Sequence, residues 1–214
     1  MCELHPNRAL TSVCLLAAAA MPVIYFGTQI VAAPFYPGYS FSLLSVSMLG
    51  SHFSRHPWIF NVGEMLTGFA ALGAALGLYR SFRTKTHALL SWLIALSVAC
   101  TGVMCLKAAM FPLPDPRHNS WGFLLNFTII APHLMLIGIW KQSRSSGLRT
   151  YLIFCITFLL LLSLLTSRRN SISWLEDGTL QRLIGLATLV PVGVIGFFFW
   201  RELQGGSSDQ PDSI

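Results

Sequence analysis

Hydrophobic residues in this chain run in long blocks with no period-two alternation, and clusters of charge separate one block from the next. Charge-free intervals extend over Ala9–Ser54, Thr86–Leu106, His118–Trp140, Thr150–Ser167 and Leu183–Trp200, and Pro57–Tyr79 carries only Glu64. Crossing about 30 Å of hydrocarbon at 1.5 Å per residue takes roughly 20 residues, so these blocks have the length of bilayer spans. Within lipid the backbone must satisfy its own polar groups, and without alternation a closed barrel is excluded. The pattern therefore predicts an all-α, polytopic transmembrane six-helix bundle, with helices near 10–32, 57–79, 88–110, 119–140, 150–166 and 182–200.

Aromatic residues near the predicted ends fit interfacial anchoring: Trp58, Trp121 and Trp174 at one end, Tyr79, Trp140, Tyr151 and Trp200 at the other. The connecting segments are too short for a further domain, so residues 1–202 read as one transmembrane domain. Residues 203–214, rich in Gly, Ser, Asp and Pro, read as a disordered cytoplasmic tail. The first block exceeds the 7–15 residues of a signal-peptide core, which predicts an uncleaved first helix.

Composition agrees, since 10% of the 214 residues are charged and 54% are hydrophobic, too little polar material to clothe a soluble core. The net charge of +6 raises nucleic acid as a partner, but the basic residues lie in short inter-helix loops and form no single face. Membrane topology accounts for them instead, so the lipid bilayer is the expected partner and nucleic acid is not. Eight Lys and Arg lie on the side shared by both termini against six at most on the other, which places both termini in the cytoplasm of a cell membrane. Cys14, Cys100, Cys105 and Cys155 fall inside spans, where cysteine acts as a small apolar filler, and no disulfide framework is expected. No motif names a cofactor.

Glu64 is the most informative side chain, because a carboxylate about 10 Å inside a span is costly unless it is paired or wetted. Asn61 lies three residues away on the same helical face, and Lys107 returns to similar depth on the third helix, suggesting a Glu64–Lys107 pair. In the run Phe111–Asn119, prolines flank Asp115 and hold it and His118 near the membrane surface. An aspartate there can orient an imidazole for acid–base work or ligate a metal, although an aspartate near a helix start is more often a cap. His52 and His56 are four apart, the spacing that suits zinc if the segment is helical. Ser45, Ser47, Ser51 and Ser54 crowd the same loop, but without a G-x-S-x-G turn nothing in the sequence supports a serine nucleophile. Asn119, Asn126 and His133 recur every seven residues and predict a polar stripe facing the bundle. Gly63, Gly68, Gly73 and Gly77 predict close helix contact.

The stretches Ser47-Met-Leu-Gly50, Pro57, Asn61 and the helix-two glycines, with Phe111-Pro112 followed by Asp115 and His118, resemble the bacterial and archaeal family called domain of unknown function 998. The resemblance implies a six-helix integral membrane protein and brings no established activity. Two functional expectations result. One is a non-catalytic binding, transport or accessory protein whose pocket, built from Ser47, Asn61, Glu64 and Lys107 near the non-cytoplasmic face, takes a lipid or small amphiphile. The other is a membrane-embedded lipid- or amphiphile-modifying enzyme, with His118 as acid or base oriented by Asp115, and a metal on His52 and His56 in a metal-dependent variant.

Overall fold

The computed structural model of the chain describes residues 6–120, 122–142, 145–167 and 177–205. It is all-helical: α1 Pro6–Ala32, α2 Pro57–Arg83, α3 Ala88–Met110, α4 Leu124–Ile139, α5 Ser146–Ser167 and α6 Asp177–Gly205, with no strand among the described residues. Five of these helices are long and apolar enough to cross a membrane, while α4, with 16 residues, is shorter. The chain fits an integral, multi-pass membrane protein. Trp121, Trp174, Arg168, Arg169, the Asn119 side chain and residues 206–214 lie outside what is described.

Helices α1, α2 and α3 pack in sequence, α4 closes on α3, and α6 returns to α1, with α5 covering α4 and α6. Small residues set the spacing. A Cβ on Gly102 of α3 would lie 2.8 Å from the Gly68 carbonyl oxygen of α2, so these backbones approach as only glycine permits. Likewise Gly77 meets Cys14 of α1, and Gly196 meets Ala18, within 3 Å of an added Cβ. The core between them holds Leu15, Met21, Leu78, Phe82, Ile94, Met135 and Ile195, all fully buried.

Several predicted boundaries move by four or five residues, and two of the shifts bear on the site and the tail. Helix α4 starts at Leu124 instead of 119, because residues 116–119 form a separate 3-10 turn and Ser120 is extended. Helix α6 continues to Gly205, past the boundary expected at 203. Contacts with its neighbours hold that last turn: Lys85 pairs with Glu202 at 2.9 Å, Trp200 Nε1 donates to Ser12 Oγ at 3.0 Å, and the Arg8 guanidinium donates to the Leu203 carbonyl. At the opposite end of the bundle, residues 33–56 form a cap seated on Ala32, Val46, Leu49 and Phe60.

Gly102→Ala should lower stability by about 1–3 kcal/mol through overpacking against the α2 backbone. Gly27→Ala, where an added Cβ meets nothing within 4 Å, should be neutral or stabilising. Thermal unfolding of both variants in mild detergent checks the contrast.

Candidate functional site

Because α4 begins late, the capped end of the bundle is not filled by helix. A cavity of about 530 Å³ opens there, bounded by α1, α2, α3, α4, α6, the cap and the 111–123 connection. Ser45, Ser47, Lys107, His118, Ser120 and Gln181 place polar atoms on its lining, and Met104, Leu125, Leu180, Ile184 and Leu189 make apolar wall. Three threonines in that wall spend their hydroxyls inside the protein: Thr101 Oγ1 donates to Thr128 Oγ1 at 3.2 Å, Thr128 to the Leu124 carbonyl at 3.5 Å, and Thr188 to the Ile184 carbonyl at 2.8 Å.

Glu64 lines the cavity and is only 5% exposed, but the expected Glu64–Lys107 pair is not formed. The α3 side chain beside the Glu64 carboxyl is instead Cys105, which is buried and also lines the cavity. Helical geometry explains the exchange: two residues on α3 turn the direction by about 200°, so when Cys105 faces α2, Lys107 faces away from Glu64. Lys107 Nζ lies 3.4 Å from Ser120 Oγ, and the same hydroxyl donates to the Arg117 carbonyl at 2.6 Å.

Asn61 does not line the cavity; its Nδ2 donates to the Gly50 carbonyl at 3.2 Å and ties the cap to α2. Asp115 does not orient His118. It caps the 116–119 turn by accepting the Arg117 backbone N–H at 2.8 Å and receives the Arg117 guanidinium at 2.6 Å. Capping wins because a carboxylate preceding a helical turn finds a backbone donor two residues on, without reaching across the loop. The Arg117 guanidinium and backbone N–H hold the Asp115 carboxyl down, at about 2.

The imidazole of His118 is oriented by other groups. Its Nδ1 lies 2.9 Å from the Phe111 carbonyl oxygen and its Nε2 lies 3.0 Å from Ser47 Oγ. A carbonyl can only accept, so Nδ1 carries a proton, and in the neutral ring Nε2 accepts from the Ser47 hydroxyl. Ser47 and His118 both line the cavity.

His52 and His56 do not form an i, i+4 helical pair, because residues 51–56 are turns and bends and helix begins at Pro57. His52 stacks on Phe53 and His56 meets the edge of Phe35, with ring centroids 4.0 and 5.0 Å apart. No cluster of three or more His, Cys, Asp or Glu occurs among the described residues. The predicted stripe on α4 also splits, since Asn126 is exposed while His133 Nδ1 is buried.

Arg182, which no sequence motif singles out, fastens the cap. Its Nη1 donates to the carbonyls of Phe41 at 2.6 Å, Gly178 at 2.9 Å and Leu44 at 3.2 Å, and its Nη2 donates to the Tyr39 hydroxyl. Gln181 adds a second tie, its Oε1 accepting the Val46 N–H at 2.8 Å. Burial pushes the Tyr39 phenol up, against the opposing pull of Arg182.

The family described as Protein of unknown function (DUF998) matches residues 13–197, which takes in α2 to α5, most of α1 and α6, and both connections that form the cavity mouth. The chain belongs to that family. No curated protein and no solved structure matches it. Of the motifs that resembled DUF998 proteins, Ser47 and His118 meet at the cavity, while Gly50 and Asn61 bind each other beside it.

Two outcomes follow from this geometry. Arg182→Lys, which loses the planar fork, should weaken the cap by about 2 kcal/mol and speed amide exchange over residues 39–46 roughly thirty-fold. Because the Asp115 carboxyl sits below its ordinary value of 3.8, its support of the 116–119 turn is full above that value and fades as pH falls toward about 2. Asp115→Asn should therefore loosen the turn at pH 5 and change little at pH 1, as read by amide exchange of Arg117 and His118.

Proposed function

We propose that this membrane protein binds a single-chain amphiphile in the capped cavity, apolar chain against α4 and α6 and polar head at the mouth. The observation that carries this reading is the cavity itself: about 530 Å³, apolar on its walls, with a buried Lys107 and the hydroxyls of Ser47 and Ser120 at one end. That volume falls within the roughly 300–1,000 Å³ of ordinary ligand sites, which combine apolar lining with a few polar groups that set orientation. Lys107, 8% exposed, is the cation on a described lining that also carries Glu64 and Asp177, and it is the group there with which an anionic head would pair. Charge pairing in a poorly hydrated site contributes more than at a wet surface. The distribution of Lys and Arg supports an orientation with this mouth on the non-cytoplasmic side of a cell membrane and both termini in the cytoplasm.

Purified protein in lipid nanodiscs should displace a fluorescent fatty acid with lysophosphatidic acid or oleate. Leu125→Trp, which fills the chain region, and Lys107→Gln, which removes the cation, should each weaken binding about tenfold, or ~1.4 kcal/mol. Equal binding by wild type and both variants would place the amphiphile elsewhere and refute the reading.

A further inference from the structure

The geometry points to Ser47 as a nucleophile and His118 as its general base, making this cavity an acyl-ester-cleaving site for single-chain lipids. The inference rests on the amphiphile reading for its substrate class and on separate contacts for its chemistry.

A serine hydroxyl becomes a nucleophile when a base within hydrogen-bond reach takes its proton and a third group holds that base in the right tautomer. All three parts are present. Ser47 Oγ lies 3.0 Å from His118 Nε2, and the Phe111 carbonyl lies 2.9 Å from Nδ1 on the far side of the ring. The carbonyl does for the imidazole what a carboxylate does in the familiar triad: it fixes the proton on Nδ1 and leaves Nε2 to accept. The absence of a G-x-S-x-G turn does not bear on this arrangement, because Ser47 sits in a 3-10 segment, Val46–Gly50, and not on a strand-to-helix elbow.

Both partners are held before any ligand arrives. The Val46–Gly50 segment is clamped at one end by Val46 N–H to Gln181 and at the other by Asn61 to the Gly50 carbonyl, at 2.8 and 3.2 Å. The turn bearing His118 is capped by Asp115, which makes Asp115 a positioning residue acting through the backbone. The pair bridges segments 71 residues apart, and both residues line the cavity.

In the reaction, Ser47 Oγ attacks the ester carbonyl carbon while its proton moves to His118 Nε2. Collapse of the tetrahedral intermediate breaks the bond from that carbon to the alcohol oxygen, which leaves with the proton from Nε2. Water then attacks the acyl-Ser47 carbon, giving a proton to His118. Expulsion of Ser47 Oγ returns that proton to the serine and releases the fatty acid.

The test is labelling of the full chain in nanodiscs with a long-chain fluorophosphonate, followed by peptide mapping, beside release of fatty acid from a lysophospholipid. An adduct on Ser47, lost in Ser47→Ala and formed at least ~100-fold more slowly in His118→Gln, is expected from general-base assistance. Fatty-acid release should fall in parallel, and Asp115→Asn should lower it less than His118→Gln does. An unchanged thermal unfolding midpoint shows that each variant is folded. Amphiphile binding without a Ser47 adduct, or an adduct indifferent to His118→Gln, overturns the inference and leaves the binding reading standing. An adduct on Ser47 in protein that displaces no fatty acid overturns the binding reading and leaves the nucleophile–base pair.

Discussion

Everything in this structure depends on the need to satisfy polar groups where water is scarce. Along the spans the backbone does this alone by forming helices. At the capped end it cannot, because residues 33–56 and 111–123 are mostly irregular and sit over the bundle. There the carbonyls of Phe41, Leu44 and Gly178 take the Arg182 guanidinium, the Gly50 carbonyl takes Asn61, and the Phe111 carbonyl takes His118. Side chains with the chemistry of a site are thus partly committed to holding loop backbone. Those that remain on the cavity surface stand out by contrast.

The same economy separates packing from cavity. Where α2 meets α1 and α3, glycines let backbones touch, and the interior is closed by Leu, Phe and Met. Where α4 falls about four residues, or one turn, short of the length a full span would need, nothing replaces the missing helix, and space remains beneath the connection from α3. The open volume is therefore a consequence of one late helix start and of a cap rigid enough not to collapse into it. Residues that close the floor, such as Thr101 and Thr188, satisfy themselves within the protein and so present a largely apolar surface.

The helices were legible because hydrophobic block length is a local property that survives any arrangement of the blocks. Glu64 was legible as an inward polar group for the same reason: a carboxyl in the third turn of an apolar helix must find company. Which company was not legible. Rotation of 100° per residue decides whether Cys105 or Lys107 faces α2, and the sequence does not say how α3 is turned. His118 was legible as chemically able, but its orienting group is a backbone carbonyl, which leaves no mark on residue identity. Asp115 was read as that group because side chains are all a sequence displays.

Sequence by itself thus determined the solvent each segment prefers, the all-helical class, the close-contact glycines and the shortlist of polar residues. These follow from side-chain hydration and from periodicity over a few turns, both short-range. Tertiary structure alone decided that Ser47 meets His118, that Glu64 meets Cys105, and that Arg182 holds the cap. Those contacts join segments far apart along the chain, through irregular loops whose course is set by which buried donors and acceptors can satisfy one another, and that is a property of the assembled molecule.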